Sequence, residues 1–167
     1  MSAELTGPDV ELEALATAPI YELVTFRPSF QNDLPANWPR GPGEGRRATD
    51  GSAEILKIAT DRWLLLQPRS DVVATAAALS RECALTDVTG KWREFRLTGT
   101  CAARLLANSV NVEELLSDRD CARTTLFDCP ALLYRLNGGF SVWIERSYEN
   151  AFVIAASRAI KAQASLI

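Results

Sequence analysis

Histidine is missing from all 167 positions. Imidazole is the usual general base near neutral pH and the commonest transition-metal ligand, so its absence removes most catalytic and metal-site templates at once. There is no C-x-x-C pair either. Cys83, Cys101, Cys121 and Cys129 lie far apart, unlike a zinc site or the dense framework of a small secreted domain, and read as reduced, mostly buried thiols. Neither G-x-G-x-x-G nor G-x-x-x-x-G-K-[ST] occurs, which leaves out the common nucleotide-binding loops. Charge of one sign is not in excess, with 18 Lys and Arg against 21 Asp and Glu, so no electrostatic footprint for nucleic acid or an anionic membrane is present. No apolar run approaches the roughly 18 residues that cross a bilayer. Glu4 and Asp9, with no basic residue before position 10, argue against a secretory signal, and the sequence predicts a cytoplasmic chain.

What is present is an ordinary globular composition, 47% hydrophobic and 23% charged. A chain of this length and composition can bury a real core. Residues 8–21 carry Val10, Leu12, Leu15 and Ala16 among glutamates and predict a short helix or an irregular docking segment. From Phe26 to Gly51 the composition shifts to Pro28, Pro35, Pro39 and Pro42 with four glycines, which predicts a long extended arm. The chain thus divides into an N-terminal segment and arm over 1–51 and a folded domain over 52–167. Phe26, Phe30, Leu34 and Trp38 punctuate the arm, and a free linker has no use for such groups. They suit anchors buried against a partner; the other reading is that the arm folds back over its own sheet with Trp38 as a lid. Arg46 and Arg47 suit partner carboxylates or plain solvent.

Beyond the arm, 53–59 and 62–67 read as strands joined at Thr60-Asp61, and a helix follows with Ser70 as its N-cap. Strands are expected over 85–88 and 91–97, a helix from Thr100 to about Asn108, and a short turn or helix over 110–116. Three further strands cover 123–127, 131–136 and 140–145, with Asn137-Gly138-Gly139 turning the last hairpin. A final helix from Ser147 toward Gln163 carries Glu149 at its start and Arg158 and Lys161 near its end, as its dipole favours. Consecutive hairpins with interspersed helices make an α+β domain, antiparallel sheets with helices packed on one face. Two indoles fall on the polar side of their strands: Trp92 beside Glu94 and Arg96, and Trp143 beside Ser141 and Glu145. Each suits a surface covered by a neighbouring subunit, or by another part of the same chain.

No catalytic, cofactor-binding or metal-ligating constellation emerges from these residues. Arg146-Ser147-Tyr148 at a helix start suits either a carboxylate or phosphate, or an N-cap with a tyrosine packed beneath it. Asp87 suits a ligand or the Thr89-Gly90 turn. Four motifs matter by their order: Asp87-Val88-Thr89; Arg96-Leu97-Thr98-Gly99 leading to Ala102-Ala103-Arg104-Leu105-Leu106-Ala107; Cys121-Ala122-Arg123-Thr124-Thr125-Leu126; and Gly139-Phe140-Ser141-Val142-Trp143-Ile144-Glu145-Arg146-Ser147-Tyr148. Their succession resembles the gamma subunit of heterotetrameric sarcosine oxidase, over about Ala53 to Ala164. That family is related to the folate-binding aminomethyltransferase domain of the glycine cleavage system.

The resemblance implies an aminomethyltransferase-like fold and a noncatalytic structural subunit of a flavin-dependent N-methyl amino acid oxidase or dehydrogenase. Its partners would be alpha, beta and delta-type subunits. FAD, FMN, NAD, tetrahydrofolate and zinc would be carried by those subunits and not by this chain. The substrate of the whole could be sarcosine, dimethylglycine, N-methylglutamate or another secondary amine. Phe26, Phe30, Trp38, Arg46, Arg47, Trp92 and Trp143 are then the candidates for the subunit interface. Two other classes remain: a stand-alone folate-binding protein of the same superfamily, and an independent enzyme using Asp87 or Cys101.

Overall fold

Two antiparallel sheets organise the chain, with few helices. The computed structural model describes residues 4–7, 9–27, 30, 33–40, 45–50, 53–79 and 81–165. In order, the elements are β1 (Glu4–Gly7), β2 (Val10–Ala14), β3 (Ile20–Thr25), β4 (Arg46–Asp50), β5 (Ala53–Ala59), β6 (Arg62–Leu66), α1 (Ser70–Ala78), β7 (Cys83–Asp87), β8 (Trp92–Thr98), α2 (Ala102–Leu106), α3 (Val112–Leu115), β9 (Cys121–Leu126), β10 (Cys129–Leu136), β11 (Gly139–Glu145) and α4 (Glu149–Ala164). They form two units that interleave along the chain. The first takes Met1–Thr17, Gly90–Asp118 and Ala122–Ile167, the second Ala18–Thr89 and Arg119–Cys121.

The first unit holds the six-stranded sheet, in the order β1-β2-β8-β11-β10-β9. Strict alternation builds its core face: Val10, Leu12 and Ala14 on β2, Phe95 and Leu97 on β8, and Phe140, Val142 and Ile144 on β11 are buried together. Pairing of Phe95 with Val142 and of Leu97 with Phe140 fixes the register. Helix α4 lays Phe152, Ala156 and Ile160 at four-residue spacing into the same core, with Phe152 4.9 Å from Phe95. Ala102, Leu105 and Leu106 of α2 join them. Gly138 turns the β10–β11 hairpin at φ 83°. Gly139 lies so close to β8 that a Cβ there would stand 2.1 Å from the Leu97 carbonyl oxygen.

The second unit holds the five-stranded sheet, in the order β4-β5-β6-β3-β7. Leu23, Ile55, Trp63 and Leu65 pack with Val72 and Ala76 of α1. Helix α1 begins at Ser70, with Arg69 in the cap position and no side-chain cap bond, so Ser70 is the first helical residue and not the cap. Asp71 takes over, accepting the Val72 N–H at 3.0 Å and pairing with Arg69.

Residues 9–21 are not a helix. Val10–Ala14 alternates buried and outward positions as β2, and Ile20–Thr25 pairs with both β6 and β7 as β3. Period two wins because Leu12 and Ala14 of β2 find Leu97 and Phe95 as cross-strand partners on β8. The arm is also more ordered than its prolines suggest. Arg46–Asp50 is strand β4, paired with β5.

Candidate functional site

Among the expected anchors of the arm, Phe26 alone stands out, at 68% exposure. Phe30, Leu34 and Trp38 are buried in the core of their own unit, beside Trp63 and Ile55. That corrects the reading of these side chains as surface for a partner. The physical reason is local: a chain of short turns, Phe30 N–H to Arg27, Asp33 N–H to Phe30 and Trp38 N–H to Pro35, folds the arm onto its sheet. Trp63 Nε1 donates to the Pro39 carbonyl at 2.9 Å, and Arg40 donates to the Leu34 carbonyl, so these two carbonyls of the arm are satisfied within the unit. Arg47 forms a two-pronged pair with Glu54, at 2.7 and 3.0 Å, and its N–H reaches the Asp120 carboxylate at 3.1 Å. Arg46 remains exposed.

Trp92 and Trp143 sit opposite the Phe95 face of the first unit's sheet, as their alternation indicated, yet both are buried, at 6% and 3% exposure. Trp143 Nε1 donates to Ser141 Oγ at 2.9 Å, and Ser141 donates onward to Glu94 Oε1 at 2.8 Å. The polar side of β11 is therefore a dry relay, not a wet surface. Trp92 Nε1 is buried with no hydrogen-bond partner among the described residues, while Lys91 Nζ lies 5.3 Å from its ring.

Burial pushes the Cys83 thiol up, and burial with the nearby Asp128 charge does the same for Cys129, so both are poor nucleophiles. Asp87 is held below the usual carboxylate range by the Thr89 hydroxyl and backbone N–H, the latter at 2.9 Å: it ties its turn. Fully buried Lys57, 5.3 Å from the Trp63 ring, is pushed down by desolvation. Among the described residues no group of three or more cysteine, aspartate and glutamate side chains is placed to hold a metal ion, and no helix is long and apolar enough to cross a membrane. One open cleft of about 410 Å³ lies in the first unit, bordered by Asn108, Ser109, Thr125, Phe127, Asp128 and Ala155. Phe127 and Asp128 make the β9–β10 turn at φ 49° and 63°; the turn is held by the Phe127 N–H bond to Ser109 Oγ and the 5.9 Å approach of its ring to Phe152.

One grouping involves residues far apart in sequence. Arg146 leaves the short 3-10 turn before α4, and Arg93 leaves β8; Arg93 Nη1 is 3.4 Å and Arg146 Nη2 3.5 Å from the hydroxyl of exposed Thr17. Glu149, the first residue of α4, stands 3.3 Å from Arg93 Nε and 4.0 Å from Arg146 Nε. Sequence reasoning reached Arg146 but not Arg93 or Thr17, which only the β8–β11 register and the chain between β2 and β3 bring beside it.

No family model matches the sequence, and no curated protein matches it. Among solved structures, a chain of the heterotetrameric sarcosine oxidase from Corynebacterium sp. U-96, determined in complex with pyrrole 2-carboxylate, shares the fold. The likeness has a TM-score of 0.77 at 19% identity, over 96% of this chain and 89% of that one.

Proposed function

We propose that this chain is a noncatalytic subunit of a flavin-dependent N-methyl amino acid oxidase or dehydrogenase, equivalent to the gamma subunit of a sarcosine oxidase. The observation that carries the reading is the likeness of fold over 96% of this chain and 89% of the sarcosine oxidase chain. In this reading the chain stabilises alpha, beta and delta-type subunits, and FAD, FMN, NAD, tetrahydrofolate and zinc reside on them. The aminomethyltransferase-like ancestry of the fold and the heterotetrameric stoichiometry belong to the same proposal. Phe26 is the apolar group of the arm that its own core does not use, and it becomes the first candidate for a contact with another subunit.

Native mass spectrometry of the tagged chain, purified from a host expressing its neighbouring genes, tests the proposal. The expected species is a hetero-oligomer containing flavin-bearing chains, with no turnover of sarcosine-type amines by this chain alone. A monomer recovered from that host, or amine oxidation by the purified chain, would overturn it.

A further inference from the structure

The grouping of Arg93, Arg146 and Thr17 carries more positive charge than its surroundings neutralise. Among the described residues Glu149 is the one carboxylate shared between the two guanidiniums, and the neighbouring Lys91 and Glu145 offset each other at 3.8 Å. The carboxylate approaches from the Nε side of both arginines, which leaves Nη atoms of both converging on a single neutral oxygen. A hydroxyl is a weak acceptor for two cations, and the lengths of 3.4 and 3.5 Å reflect this. Arg93 Nε is buried and makes no hydrogen bond of good geometry. The positive end of the 16-residue helix α4, which has no side-chain cap, lies at Glu149. Two guanidiniums and a helix start supply more donors than the carboxylate and hydroxyl can accept.

We propose that Arg93 and Arg146, meeting at Thr17, form a receptor for one phosphoryl dianion, carried on Thr17 itself or arriving as free phosphate. A phosphoryl group on Oγ1 would place its oxygens beside both guanidiniums, the geometry in which phosphorylation orders a segment. Thr17 is exposed in the irregular stretch between β2 and β3, open to a protein kinase. In that reaction the Thr17 oxygen bonds to the γ-phosphorus of a nucleoside triphosphate while the bond to the bridging oxygen breaks. The nucleoside diphosphate leaves, and the hydroxyl proton passes to the kinase's base. The site is independent of the role proposed for the chain as a subunit.

The experiment uses the full chain with 15N-labelled arginine, titrated with inorganic phosphate at constant ionic strength. Saturable shifts of the Arg93 and Arg146 Nε–H resonances are expected, and Arg146→Gln, at an exposed position, should weaken the affinity by about tenfold. A chain carrying phosphothreonine at position 17 should show the same shifts without added phosphate. Thr17→Val separates the sources, because it keeps the arginines for free phosphate and abolishes the modification. No saturable shift in either the unmodified or the phosphorylated chain, or shifts unchanged in Arg146→Gln, overturns the proposal.

Discussion

Replacing Ser141 with alanine tests whether the buried relay on β11 holds the first unit together. The hydroxyl accepts from Trp143 Nε1 and donates to Glu94 Oε1, and Ser141 is fully buried. Alanine fills nearly the same volume, so cavity formation contributes little. The loss is instead polar. Trp143 would keep a buried N–H with no acceptor, a penalty of about 1–3 kcal/mol, and Glu94 would lose one donor, worth about 1.5–3 kcal/mol when the acceptor is charged. Glu94 retains another contact, which limits its share. A net destabilisation of about 2–4 kcal/mol follows. Urea unfolding of wild type, Ser141→Ala, Trp143→Phe and the double variant measures it as a cycle. Without the indole N–H, Ser141→Ala should be milder by about 1–2 kcal/mol. Strict additivity, or a single-variant loss below about 0.5 kcal/mol, would refute the relay as a stabilising element.

Trp38→Ala should lower unfolding free energy by about 3–5 kcal/mol, because the indole is core and not a spare anchor. Phe26→Ser, by contrast, should leave stability within about 0.5 kcal/mol while reducing co-purification with other subunits. Gly139→Ala should destabilise by about 1–3 kcal/mol or more through the clash with Leu97, whereas Gly90→Ala, which meets nothing within 4 Å, should be nearly neutral; thermal melts compare the two. Lys57 binds its proton less tightly folded than unfolded. Its contribution to stability therefore rises as pH climbs from the depressed folded pKa toward the ordinary 10.5. Lys57→Met should remove that alkaline rise in denaturation curves taken across pH.

Strong local patterns were readable from sequence. The apolar run of β6, the Val72 and Ala76 stripe of α1 and the Asn137-Gly138 turn each name their element without help from the rest of the chain. β2 was misread because Leu12, Leu15 and Ala16 also fit a helical spacing, and only pairing with β8 decides for alternation. β4, Arg-Arg-Ala-Thr-Asp, has almost no apolar signal of its own and exists by virtue of β5. Phe30, Leu34 and Trp38 were legible as groups that must be buried. What the sequence withheld was the burying surface, since no periodicity links the arm to Trp63. Trp143 shows the same limit: its neighbours Ser141 and Glu94 look solvated in a pattern, yet become partners once the strands align.

The six-stranded sheet joins strands far apart in sequence, with β2 paired to β8 and β8 to β11. A ribosome adding about 5–20 residues per second needs on the order of ten seconds between emitting β2 and β11. Throughout that interval Val10, Leu12 and Ala14 lack the part of their core that β11 and α4 supply. Nascent chains are therefore exposed to misassembly until β11 and α4 have emerged, and truncations that drop α4 should aggregate in the cell instead of accumulating as a smaller soluble fragment.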